Sequence, residues 1–128
     1  MGSIFGRFAP RGTIIVNRGL IAAPDWMLTD LTADGDPHLL DCSAIVPAGA
    51  SHIWFKALIA STTPGANLVI MPPIPASNLN CIFLQTTSAL FDAVMDTFVE
   101  TDALRQVYYQ LDGADWDIVM LAIRGWLK

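Results

Sequence analysis

Little of this sequence is charged, and almost none of it is histidine or cysteine. Charged residues make up 15% of the 128, against 53% hydrophobic, with two histidines and two cysteines. Each shortage excludes something. His38, His52, Cys42 and Cys81 are the only histidines and cysteines, and a zinc site usually needs four ligands, or three plus water, brought together. His38 and Cys42 stand four apart, which on a strand puts both on one face but offers no further ligand. Phosphate-cradling loops are missing too, since neither GxGxxG nor a Walker motif occurs. Ser43 and Ser51 lie near histidines in sequence, yet no GxSxG elbow or comparable constellation surrounds them. The expectation is no enzyme: no catalytic residue, no metal and no cofactor.

Long hydrophobic runs are absent as well. Mean hydropathy is +0.47, but no stretch approaches the roughly 20 apolar residues of a membrane helix. The apolar residues come in short runs parted by Gly, Pro and polar pairs, so they should fill a core or be kept for partners. The IIV run at 14–16 is too short for a secretory signal and is flanked by Arg11 and Arg18. MGSIFG begins like a myristoylation site but has no Ser or Thr at position 6. No membrane association is expected.

Positive charge is the third shortage: seven Lys and Arg against 12 Asp and Glu leave a net charge of −5. It is also unevenly placed. Residues 1–24 carry +3 and no acid, whereas residues 25–128 carry −8. Three arginines would neutralise few phosphates, and Tyr108 and Tyr109 lack the basic groove of a base-stacking surface, so no nucleic-acid partner is expected. A basic leader on an acidic body instead suggests an arm, residues 1–24, that reaches a partner. The blander alternative is a frayed terminus. Against it, Ile4, Phe5, Phe8 and the run 14–16 are apolar enough to need burial on the body or on a partner.

From Asp25 onward the sequence reads as strands. In HIWFKALIA (52–60), Ile53, Phe55, Ala57 and Ile59 share one face and His52, Trp54, Lys56 and Leu58 the other. NLVIMP (67–72) follows the Pro64–Gly65 turn, and CIFLQTT (81–87), VMDTFVE (94–100) and LRQVYYQL (104–111) are rich in branched and aromatic residues. WDIVMLAIRGWL (116–127) follows DGAD, a hairpin turn signal, and Asp112, Asp115 and Asp117 read as its solvated end. A helix is a rival only in SALFDAVMDTFVETDALRQVYYQL (88–111), where Leu90, Phe91, Val94, Met95, Phe98 and Val99 could form a stripe, and alternation from 94 to 111 favours a hairpin there. PPIPASN (72–78) cannot be an interior strand, because three prolines donate no ladder hydrogen bonds. Turn signals recurring every 8–12 residues or so predict an all-β sandwich or barrel over 25–128.

DLTADGDPHLLD (30–41) carries polar side chains at the spacing of a calcium-binding EF-hand, with Gly35 at position 6. Its flanks, DWMLTDL and HLLDC, read as strands, position 8 is Pro37, and position 12 is Asp41 rather than Glu. A hairpin that pairs Leu28 and Leu31 with Leu39 and Leu40 is the stronger expectation. Cys42 and Cys81 read as buried, reduced, small hydrophobes, with a cross-strand disulfide as the alternative.

LTADGDPHLLDCSAIVPAGA, the strand HIWFKALIA and the final WDIVMLAIRGWL together resemble β-sandwich proteins of tailed-phage particles, the head decoration (cement) proteins and fibre-associated modules. The resemblance spans about residues 25–128 and rests on strand and turn texture, with no diagnostic motif. It implies a jelly-roll-like or immunoglobulin-like antiparallel sandwich that oligomerises and binds the major capsid protein lattice. The protein would be made in the host cytoplasm and would reside on the capsid exterior of the virion. The arm residues Ile4, Phe5, Arg7, Phe8 and Arg11 are then expected to dock on the capsid. Trp54 and Leu58, apolar on the face opposite the core face of their strand, are expected to serve self-association as a homodimer or homotrimer. The alternative is a carbohydrate- or receptor-binding module that uses exposed aromatics and the PPIPASN loop.

Overall fold

The computed structural model describes residues 14–73 and 82–128. Nine strands account for most of them: β1 (Ile15–Asn17), β2 (Trp26–Met27), β3 (Pro37–Asp41), β4 (His52–Ser61), β5 (Asn67–Met71), β6 (Ile82–Gln85), β7 (Ala93–Glu100), β8 (Gln106–Leu111) and β9 (Trp116–Leu127). A single 3-10 turn, Leu28–Asp30, follows β2. The strands form two antiparallel sheets. One has the order β1–β9–β4–β7, with β2 also on the outer edge of β9, and the other runs β3–β8–β5–β6.

The pairing is nested. β2 pairs with β9, β3 with β8, β4 with β7 and β5 with β6. Such a chain is one long antiparallel ribbon rolled on itself, which is the jelly-roll arrangement of two four-stranded sheets with β1 added at an edge. The all-β sandwich expected from alternation is what the chain forms.

Alternation sets the core. Ile53, Phe55, Ala57 and Ile59 of β4 are at most 1% exposed, as are Leu121 and Ile123 of β9 opposite them. Leu68, Ile70, Val107 and Leu111 supply the facing layer from the four-stranded sheet. Inward side chains from the two sheets thus interdigitate as in other sandwiches. β9 makes room for one extra residue at Arg124, because Trp54 faces Gly125 while Phe55 faces Ile123.

Three expected hairpins do not form. The turn at Asp34–Gly35 leads from β2 in one sheet to β3 in the other, and Leu39 and Leu40 pair with Tyr108 and Val107, not with Leu28 and Leu31. Strands β7 and β8 also lie in different sheets, so the stretch 94–111 is a crossing, as is DGAD between β8 and β9. The reason is common to all three. A tight turn reverses the chain equally well within a sheet or across the gap of about 10 Å between sheets, and burying a face of each strand favours the crossing. Strands were legible locally; their partners were not.

The stretch read as an arm joins the fold from residue 14 onward. β1 lies along β9, with Ile14 N donating to Lys128 O at 3.0 Å and Lys128 N donating to Ile14 O at 2.9 Å. Ile14 and Ile15 are nevertheless 59% and 62% exposed, so these two are not buried against the body. Arg18 then anchors the segment that follows. Its guanidinium reaches Asp25 Oδ2 at 2.6 Å, and the same carboxylate oxygen accepts the Ile123 amide at 2.8 Å.

Candidate interaction surface

Register on the outer face of the five-stranded sheet arranges its side chains in rows across the strands. Val94 of β7 faces Leu58 of β4, Leu58 faces Met120 of β9, and Met120 faces Met27 of β2. That is an unbroken apolar row from one edge of the sheet to the other. Its ends, Val94 and Met27, are 54% and 47% exposed. The next row holds Asp96, Lys56 and Ala122, and the one beyond it Phe98, Trp54 and the bulged Arg124–Gly125 pair. The face directed away from the core is therefore itself largely apolar. This accounts for the doubly apolar character of β4 and β9.

Trp54 is fixed from several sides. Phe98 on β7 stacks on it with ring centroids 5.3 Å apart and planes inclined by 28°. On the β9 side, the Arg124 guanidinium carbon lies 4.7 Å from the indole centroid. Asp96 ties the group together by accepting from Trp54 Nε1 and from Arg124, the latter at 2.6 Å. Stacking, cation–π attraction and a charge-assisted bond each contribute modestly at a half-exposed site. Together they hold the indole upright between two neighbours, and both of its faces are in use.

Residues 19–24, the connection between β1 and β2, lean over the same sheet. Between them and Lys56, Leu58, Met120, Ala122 and Arg124 lies a groove of about 370 Å³. Its floor is apolar and Lys56 stands on its wall. Arg124 is paired with Asp96, whereas among the described residues Lys56 has no carboxylate within ion-pair distance. Leu58, expected to serve self-association, lines this groove; Trp54 lies in the next-but-one row, engaged as described. The remaining expected site residues, Ile4, Phe5, Arg7, Phe8 and Arg11, lie outside the described residues, as do Cys81 and most of PPIPASN.

The EF-hand-like stretch uses its acids internally. Asp34 Oδ1 accepts the Asp36 amide at 2.9 Å, and His38 Nε2 lies 2.8 Å away. The Asp36 amide first, and then His38, hold the Asp34 carboxyl below its ordinary range. Gly35 takes φ +81°, which a side chain would strain, and its amide donates to Leu111 O on β8 at 2.9 Å. Among the described residues no three His, Cys, Asp or Glu side chains are grouped to hold a metal ion. Asp112 departs from its reading as a solvated end. Its Oδ2 accepts both the Asn67 amide and the Asn67 side-chain nitrogen at 2.9 Å, capping the start of β5. The signal was available, because a carboxylate is the natural acceptor for an edge amide beside a turn.

Cys42 follows β3 and is fully buried, and burial pushes its thiol up to about 12 from an ordinary 9.0. A thiol so raised stays protonated at neutral pH, and only the thiolate reacts quickly. In a C81S variant, iodoacetamide at pH 8 should leave Cys42 unmodified in the native protein and label it in urea; rapid native labelling would contradict its burial. The linkage has a sign. Above pH 9 the unfolded thiol ionises while the folded one does not, so stability should fall as pH rises from about 9 toward 12.

No protein-family model, no curated protein and no solved structure matches this chain.

Proposed function

We propose that the protein is a structural component of an assembled particle, a decoration protein that binds the head of a tailed phage and stabilises it by bridging capsid subunits. The observation that supports this most is the apolar row Val94–Leu58–Met120–Met27, which crosses the whole outer face of a sheet whose other face already fills the core. A monomer gains nothing from a second apolar face, and large open patches of this kind mark contact surfaces. The resemblance in strand and turn texture to tailed-phage particle proteins supplies the kind of assembly. The arm expected over residues 1–24 carries Arg7 and Arg11 beside Ile4, Phe5 and Phe8, and these supply the docking contacts in this reading. A ligand that binds only the assembled shell shifts the equilibrium away from rupture by mass action.

The carbohydrate-binding alternative is less well supported at this face. Sugar recognition by an aromatic needs a free ring face for stacking, and Trp54 has Phe98 on one side and Arg124 on the other.

The test uses purified heads that lack decoration. Full-length protein should bind them and raise their rupture temperature, and a chain lacking residues 1–13 should bind at least about tenfold more weakly, a difference of about 1.4 kcal/mol. Equal binding by the shortened chain would reject the docking role of the arm. Failure of the intact chain to bind any head, together with Trp fluorescence quenching by glycans, would replace the proposal by its alternative.

A further inference from the structure

We propose that copies of this chain associate head to tail, with the exposed turn Leu90–Phe91–Asp92 of one copy seated in the groove between residues 19–24 and Lys56 of the next. This goes beyond attachment to a phage head and is tested without one.

The two surfaces are distinct. The turn sits just before β7, at one edge of the sheet, and the groove lies beneath the β1–β2 connection, over the two middle strands β4 and β9. A contact between unlike patches is heterologous, and repeating it makes a ring or an open array. It therefore uses each patch once per copy and leaves the other patch ready for the next.

The turn is built to project. Leu90 and Phe91 are 60% and 70% exposed, adjacent, and followed by the exposed Asp92. Leu90 has φ +63°, a left-handed conformation that is costly for a branched side chain without β-turn glycine character. The fold holds it there through the Leu90 amide, which donates to Ser61 O at the end of β4 at 2.9 Å. Strain of this kind persists only where the surroundings impose it, and here it keeps two large apolar side chains in water.

The groove matches that turn in both size and charge. At about 370 Å³ it is large enough for an aromatic side chain with a neighbour. Leu58, Met120 and Ala122 give it an apolar floor, and the residues that lean over it, Leu20 to Pro24, are apolar throughout. Lys56 at its wall has its neighbouring acid, Asp96, already taken up by Arg124 and Trp54. Asp92 following Phe91 offers the missing carboxylate. On a chain of net charge −5, copies repel one another unless a contact brings unlike charges together, and this one does.

The experiment is a light-scattering mass measurement on full-length protein across a concentration series. Wild type should exceed the monomer mass and approach it on dilution. F91D removes the projecting anchor and A22W fills the groove; each alone should raise the concentration needed for association by roughly thirty-fold or more, as loss of an interface anchor does. Both changes are at exposed positions, so each variant should unfold at the wild-type urea midpoint. The decisive arm mixes them. F91D retains its groove and A22W retains its turn, so the mixture should form a one-to-one heterodimer and grow no further. A like-with-like self-contact through the Val94–Met27 row could not produce that complementation. A wild type that is monomeric at every concentration overturns the proposal. So does an oligomer that F91D leaves intact, which would direct attention to the Val94–Met27 row as a self-contact.

Discussion

Phe55→Ala should cost about 3–5 kcal/mol of folding stability, enough to remove a large share of the roughly 5–15 kcal/mol that holds a domain together. Phe55 is 0% exposed and sits in the middle of β4, the strand paired on both sides, facing Thr97 of β7 and Ile123 of β9. The bulge at Arg124 is next to it, so the ladder between β4 and β9 changes register at this residue. Removing the ring leaves a void that the flanking strands cannot close without losing their hydrogen bonds. The transfer loss and the cavity cost therefore add. In urea unfolding the midpoint should fall by roughly 1–3 M at unchanged slope. Phe55→Leu should recover much of that loss, because it refills most of the volume. A cost under about 1 kcal/mol for the alanine variant would mean that the two sheets are not packed together through this residue.

How much of this was legible in the sequence depends on the range of the interaction. The faces of β4 and β9 could be read residue by residue, since a period of two is a local property: Ile53, Phe55, Ala57 and Ile59 are buried, and Val119, Leu121 and Ile123 likewise. The limits of β9, Trp116 to Leu127, coincide with the apolar and aromatic run that suggested it. Pairing was less accessible. Asp34–Gly35 and Asp112–Gly113 carry good reversal chemistry, but nothing in a turn says whether the returning strand joins its predecessor or the opposite sheet. The nested order emerges only when all the faces are buried at once.

The candidate site divides along the same line. That Trp54 and Leu58 lie on a second apolar face followed from alternation alone. That Trp54 is clasped by Phe98 and Arg124 while Leu58 lines an open groove required the register of β7 and β9 against β4. The groove depends further on residues 19–24, which the sequence reading assigned to an arm. Leu90 and Phe91 looked like part of a possible helical stripe, and their exposure follows from a left-handed residue that no periodicity announces. A contact surface assembled from four separate segments has no compact sequence signature.

Gly125→Val should detach β1 from the sheet and remove the groove with it, at a cost of about 1–3 kcal/mol. Gly125 is needed for space. A Cβ placed there would lie 2.0 Å from the carbonyl oxygen of Val16 and 3.1 Å from its carbonyl carbon, and both are backbone atoms that no side-chain rotation can move aside. Alanine already supplies that Cβ, so Gly125→Ala should act in the same direction. The core should survive, because Ile123 and Leu121 bury their side chains on the other face and pair with β4 independently of β1. Hydrogen exchange separates the two parts. Amides bonded between β1 and β9, including Ile14 and Lys128, should lose protection, while those between β4 and β7 keep it. Since residues 19–24 hang between β1 and the Asp25 anchor, freeing β1 also frees the wall of the groove. Association should then weaken in parallel with the loss of protection. Wild-type protection at Ile14 in the Gly125→Ala protein would show that β1 does not approach β9 this closely. Lost protection with undiminished association would show that copies meet through another surface.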